Sequence, residues 1–467
     1  MRNSLRMWAV SLLDLLVALA ALIPAALTLP TWIPEDPSID PFYTPPTGFE
    51  SRAPGTILRQ RRIRAAFFGL IPDPVDAYQL LYRTTAVNGS AIATVTTVFK
   101  PRYPYTDSFV SFHTEYDSSS VTCNPSYQYR LGSLQTGIIP SVELPITQAY
   151  LLKGYIVASP DYEGPDAAFG AARLAGMGVL DGMRAVSSFR ELNFATHRPA
   201  IVGTGYSGGA IATGWAAALH RTYAPELNIR GWAQGGTPSN LTGTLLWLDN
   251  GLYSGFLPAA IDGLSKPSAY GLQLKPFIDS IATEAGQLLL DYANSHCTVP
   301  SLINFHNQSI FNPTFQTLGP DFIDEPIVRS IMAENTLGVD PDETPIAPVF
   351  AYHAAQDDII PYDDAKAMVD RWCSNGANVL FTTYASGGHI ATELLGMVGA
   401  VRWVEGVFEG DVPTNCSSNT ASGSLFDFNI LGEELKPVML TLGKVLDVVG
   451  ENDEYIKQDV SVLAMVP

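Results

Sequence analysis

The sequence predicts an α/β fold, with a mostly parallel central sheet, helices on both of its faces, and a cap inserted late in the chain. Three observations predict it. From residue 65 onward, short apolar and β-branched runs alternate with helical stretches, the pattern of strands buried on both faces. One of these strands runs into a glycine-flanked turn that opens a helix, at residues 199–220. Between residues 240 and 325 the strand rhythm stops, and large side chains such as Leu245, Trp247, Phe256 and Leu257 gather without it. With 467 residues, 46% of them hydrophobic and only 16% charged, the chain can bury a large core without a metal or disulfide staple.

At the N-terminus, Arg2 and Arg6 precede an apolar run from Leu15 to Leu29, with small residues Ala25, Ala26 and Thr28 near its end. This is the layout of a secretory signal peptide over residues 1–29; an uncleaved signal-anchor is the alternative. Residues 30–55 are proline-rich and read as an extended arm over the surface. Arg59, Arg61, Arg62 and Arg64 form the densest basic cluster, read as a solvated strand or helix face, with a dibasic processing site as the alternative. Strands are expected at residues 91–99, 108–112, 154–159, 199–203, 348–352 and 379–384, and a helix at 277–290. The expected organisation is a first core part at 30–239, a cap at 240–325 and a second core part at 326–467. Ordinary peripheral helices are the alternative to the cap.

Export agrees with the cysteines. Cys123, Cys297, Cys373 and Cys416 are widely spaced, with no C-x-x-C, which argues against a zinc or redox centre and leaves three pairings open. Sequons stand at Asn88, Asn240, Asn307 and Asn415; the last adjoins Cys416, which hinders its modification. Lys and Arg number 27 against 46 Asp and Glu, a net charge of −19 that disfavours phosphate backbones and hence nucleic acid. No cofactor, metal or obligate protein partner is expected.

The chemistry begins at Gly205-Tyr206-Ser207-Gly208-Gly209, a G-x-S-x-G between strand and helix, which is what a nucleophile elbow of an α/β-hydrolase requires. A serine hydroxyl is a weak nucleophile and needs a base. The required order is Ser, then an acid, then His. Of the downstream histidines His220, His296, His306, His353 and His389, only His389 follows the last core strand. The orienting acid should follow strand 348–352, where Asp357 is preferred and its neighbour Asp358 is the alternative. For the oxyanion, the N–H of Gly208 supplies one donor. The loop after strand 108–112 should supply another, where Asp117 offers its N–H or a protonated carboxyl.

These motifs resemble the fungal secretory lipases, the Candida antarctica lipase A-like family of α/β-hydrolases. The resemblance covers nearly all of the chain after the leader. It rests on residues 40–46 and 54–59, Tyr116-Asp117-Ser118, residues 123–127, the elbow at 205–209, residues 357–361 and Gly388-His389. It implies a Ser207–Asp357–His389 triad, an oxyanion hole at Asp117 and Gly208, a lid before Asp357, and disulfides Cys123–Cys297 and Cys373–Cys416. One departure is Asp358, where the family more usually has Glu. The implied function is a secreted carboxylic-ester hydrolase acting on lipid or another ester, in first place a triacylglycerol lipase working at a lipid–water interface. An acetylesterase of a secondary metabolite and a serine peptidase of the same fold are the alternatives.

Overall fold

The computed structural model describes residues 33–137 and 139–421. The expected leader at 1–29 and the end of the second core part, 422–467, lie outside the described residues.

The strands are β1 (Ile57–Ile63), β2 (Ala66–Phe67), β3 (Ile71–Pro72), β4 (Asp76–Thr85), β5 (Ala91–Lys100), β6 (Ser108–His113), β7 (Ile156–Pro160), β8 (Ala200–Tyr206), β9 (Ile229–Gly235), β10 (Val349–Ala354), β11 (Val379–Tyr384) and β12 (Ser417–Ala421). All but the small β2–β3 pair form one sheet in the order β1-β4-β5-β7-β6-β8-β9-β10-β11-β12. From β7 to β12 the neighbours are parallel; β1, β4, β5 and β7 pair antiparallel. All six expected strands are present, within a few residues at their ends. Their side chains are mostly buried on both faces, as crossover helices require. Helices Ala172–Ser188 and Ser207–Tyr223 cover one face, around Trp215 and Trp232. Helices Ile139–Leu152 and His389–Glu409 cover the other, around Leu144, Tyr150 and Val401.

The arginine cluster lies on and just beyond the edge strand β1. Arg61 reaches Asp40 at 2.6 Å and stacks over Phe42 at 3.9 Å, and Arg62 pairs with Asp76. Charged side chains on an edge strand also blunt pairing with another chain. The arm is not extended. It is built of turns and a short 3-10 helix (Phe49–Ser51), and Phe42, Tyr43 and Phe49 pack on Leu81, Ala93 and Val95. Asp40 is buried there because Arg61 and Arg130 both reach its carboxylate.

Between β9 and β10 the chain leaves the sheet for six α-helices: Leu241–Leu248, Phe256–Leu264, Gly271–Ile281, Glu284–Ser295, Thr298–Phe305 and Pro326–Glu334. All but Thr298–Phe305 contribute to an apolar core of their own, in which Leu245, Leu257, Leu274 and Met332 meet Phe322 of the 3-10 helix Gly319–Asp324. The helix expected at 277–290 is two. Thr283 breaks it, because its hydroxyl accepts from Gly286 N at 3.1 Å and caps the second helix. Among the described residues no helix is long and apolar enough to cross a membrane.

Candidate active site

β8 delivers Ser207 to the carboxyl edge of the sheet, and helix Ser207–Tyr223 starts at that residue. The turn between them is tight enough to hold Ser207 at φ 48°, a left-handed conformation costly for a side chain. Its flanking glycines are required by space. A Cβ on Gly205 would lie 2.5 Å from the Gly209 carbonyl, and one on Gly209 would lie 1.9 Å from the His113 carbonyl.

His389 opens the helix after β11, and Tyr206 anchors it by donating to its carbonyl at 2.7 Å. Its Nε2 is 2.8 Å from Ser207 Oγ and its Nδ1 is 2.7 Å from Asp357 Oδ2. A carboxylate can only accept there, so Nδ1 carries the proton and Nε2 is left to take the serine's. Asp357 is buried in the loop after β10, with Oδ1 accepting from the amides of Ile359 (2.9 Å) and Ile360 (2.7 Å). His353 Nε2 lies 3.2 Å from Asp357 Oδ2 and 3.2 Å from the Ile360 carbonyl. Burial works against the charge on Asp357. Hydrogen bonds from His353 and His389 outweigh it and hold the carboxyl well below its usual range. Asp358 faces elsewhere: its Oδ1 accepts from the His389 backbone amide at 2.9 Å, and Oδ2 from the Tyr253 hydroxyl at 3.4 Å. The two adjacent carboxylates therefore divide the work, one on the ring and one on the backbone of the same histidine. The remaining downstream histidine rings have other partners or face solvent. His220 contacts Leu227 and Trp232, while His296 and His306 are exposed in the segment between β9 and β10.

Asp117 sits in the loop after β6 at φ 44°, with its carboxyl over Gly208: a Cβ on Gly208 would be 1.7 Å from Asp117 Oδ1. That oxygen is buried and has no hydrogen-bond partner, and burial pushes the carboxyl up to about 7. Thr298 fixes the loop by donating to the carbonyls of Tyr116 (2.8 Å) and Asp117 (2.9 Å). The neighbouring Cys297 is bonded to Cys123, so a disulfide ties this loop to the helices between β9 and β10. Cys373 is bonded to Cys416, tying helix Tyr362–Ser374 to the start of β12. Of the four sequons, Asn88, Asn307 and Asn415 are exposed. Asn240 is half-buried, and its amide donates to Asp364 at 3.2 Å.

Sequence reasoning missed a set of acids behind the elbow. Glu143 accepts from the Glu115 amide at 2.7 Å, and Glu143 and Glu393 line the same small cavity beneath Tyr206. Burial, then the neighbouring acids, push Glu115 and Glu143 well up; burial pushes Glu393 up to about 7. Burial also raises Asp161 to about 7 and Asp73 to about 6. Unfolded carboxyls titrate near ~4. Between pH ~4 and the raised values the folded chain keeps protons that the unfolded chain has lost, so stability falls as pH rises. The slope is ~1.4 kcal/mol per pH unit for each group still protonated. Asp357 acts oppositely: its contribution is present above the unfolded value and lost as pH falls through its depressed one. Urea unfolding should therefore show a higher midpoint at pH 5 than at pH 8; a midpoint that rises over this interval would contradict the burial of these acids as neutral groups.

An apolar cavity opens from Ser207, Gly208 and Asp117 and runs under the helices between β9 and β10, past Ile211, Leu245 and Leu257. It holds about 920 Å³ of space, part of it open to solvent.

Residues 129–416 match the family model described as secretory lipase. The chain is 38% identical over 397 residues to a secreted triacylglycerol lipase of Malassezia furfur, covering 84% of this chain and 80% of that one. It belongs to the secretory lipase family. A secreted triacylglycerol lipase of Malassezia globosa is 36% identical over 426 residues, covering 90% and 92%. The crystal structure of Candida antarctica lipase A superposes with a TM-score of 0.79 at 30% identity, over 87% of this chain and 95% of that one. A rice cell wall degrading esterase from Xanthomonas oryzae shares the fold at a TM-score of 0.58 and 15% identity. This secretory lipase is thus an α/β-hydrolase by fold, a carboxylic-ester hydrolase by family, and secreted.

Proposed function

We propose that this secretory lipase hydrolyses long-chain acyl esters, triacylglycerols first among them, through Ser207, His389 and Asp357. The observation that carries the reading is the apolar cavity that opens on the Ser207 hydroxyl, since a wall of this kind offers an acyl chain contact and a small polar ester none. Ser207 Oγ attacks the ester carbonyl as His389 Nε2 takes its proton. Asp357 holds the ring and stabilises the imidazolium. The amide of Gly208 and the loop of Asp117 face the oxyanion, with the Asp117 carboxyl as a donor in its protonated form, which burial favours. His389 then protonates the leaving alcohol, and a water activated by the same histidine releases the fatty acid. The names of the Malassezia relatives support the triacylglycerol substrate.

We take residues 1–29 as the leader. We also take the cap to run from residue 240 through helix Pro326–Glu334, beyond the 325 expected from sequence, because Val328, Ile331 and Met332 wall the same cavity. Leu246, Trp247 and Leu252, close together in the sequence of the cap, stand 50%, 56% and 61% exposed. On a chain of net charge −19 they favour contact with neutral lipid through apolar area rather than through charge. The experiment compares wild type with the Leu246→Ser, Trp247→Ser double variant on emulsified triolein and on p-nitrophenyl acetate. Activity on the emulsion should fall several-fold more than on the soluble ester. Equal losses would make the patch structural, and a wild type active on the acetate alone would contradict the long-chain reading.

A further inference from the structure

The acyl cavity has a neighbour. Beside it in the cap lies a second apolar chamber with about 430 Å³ of space, part of it open to solvent, walled by Pro258, Ala282, Leu289, Leu290 and Phe315 among others. Ile261, Ile278 and Phe322 line both spaces. The three come from three different elements: helix Phe256–Leu264, helix Gly271–Ile281 and the 3-10 helix Gly319–Asp324. Phe322 is 6% exposed and stacks on Phe277 with ring centroids 6.3 Å apart, so the ring is held in place from behind.

The polar side chain on the chamber wall, Gln316, is already committed. Its amide donates to the carbonyls of Ile310 (3.3 Å) and Gly319 (2.8 Å), and its carbonyl accepts from the amides of Leu318 (2.6 Å) and Gly319 (3.0 Å). The chamber therefore offers a ligand apolar contact and no free hydrogen-bonding side chain, which suits hydrocarbon.

We infer that Ile261, Ile278 and Phe322 form a partition that sets the longest acyl chain the enzyme accepts, and that the chamber behind it is an unused subsite for the methyl end of a longer chain. The inference rests on the acyl-ester reading above. An acyl chain anchored at Ser207 runs down the first cavity and meets the partition side-on. Each methylene that cannot pass must stay in water or strain the cap, a discrimination of about tenfold or more in an apolar site.

The test is competition in one emulsion between triacylglycerols of palmitate and of docosanoate, with the released acids quantified by gas chromatography. Wild type should strongly prefer palmitate. Phe322→Ala should raise the docosanoate-to-palmitate ratio by at least ~10-fold. Ala282→Leu, which adds bulk to the chamber wall one turn along the chain from Ile278, should leave the wild-type ratio unchanged and cancel the gain when combined with Phe322→Ala. Phe322→Leu, a milder opening, serves in the same design if the alanine variant does not fold. An unchanged ratio in the opened variant overturns the partition, as does a gain that survives Ala282→Leu or a wild type that already takes docosanoate equally well. A wild type inert on palmitate itself would instead overturn the acyl-ester reading.

Discussion

Asp357→Asn should lower kcat for ester hydrolysis by ~10⁴-fold, while Asp358→Asn lowers it by no more than ~10-fold. Asp357 receives the His389 Nδ1 proton at 2.7 Å, and that bond fixes the tautomer in which Nε2 is free to accept from Ser207. An asparagine there is held by the same Ile359 and Ile360 amides, with its carbonyl turned toward them. Its NH₂ then faces the ring, which inverts the tautomer without disturbing the fold. Asp358 contributes one acceptor to the backbone amide of His389, and an asparagine carbonyl replaces that acceptor. The loss is then the order of one net hydrogen bond, ~1 kcal/mol. Steady-state kinetics on p-nitrophenyl octanoate, with thermal unfolding of both variants, checks this. Comparable losses in the two would return the choice of acid to the ambiguity the sequence left.

Ser207→Ala should cost ~10⁴-fold or more and leave the protein folded. Alanine meets the same left-handed backbone that serine already tolerates, so no new strain is added. Gly209→Ala, two residues on, is the contrasting case. Its Cβ would lie 1.9 Å from the backbone carbonyl of His113, in a neighbouring strand that cannot retreat without breaking the sheet. That variant should lose activity and stability together. Circular dichroism and kinetics on the pair separate a missing nucleophile from a collapsed elbow. A folded, active Gly209→Ala would contradict the tight turn.

The two variants also mark how far the sequence could be read. The elbow was legible because its signals are local: a strand, a glycine on either side of the serine, and a helix, all within one short run. β8 and β10 were legible because burial on both faces leaves an almost continuous apolar run. β9 was not, because Ile229–Gly235 mixes Arg230, Gly231 and Gln234 into that pattern, and its glycines are there for close packing against Val407 and Tyr352. β1 and β12 are edges, where arginines or serines face solvent and no apolar period survives. Asp357 and Asp358 could not be separated by order alone, since adjacent residues satisfy the same spacing; only the turn formed by the Ile359 and Ile360 amides aims one of them at the ring. The acids behind the elbow left no trace either. Glu115 comes from the loop after β6 and Glu143 and Glu393 from two different helices, and nothing local distinguishes a glutamate that will be buried from one that will be solvated.

The most direct test of the central claim is to treat the enzyme with a long-chain alkyl fluorophosphonate, map the label by peptide mass spectrometry, and follow triolein hydrolysis in the same samples. The account predicts one label per chain, on Ser207, with activity lost in proportion to labelling and no label on Ser207→Ala. A label on another residue, or full triolein hydrolysis by protein labelled at Ser207, would contradict it.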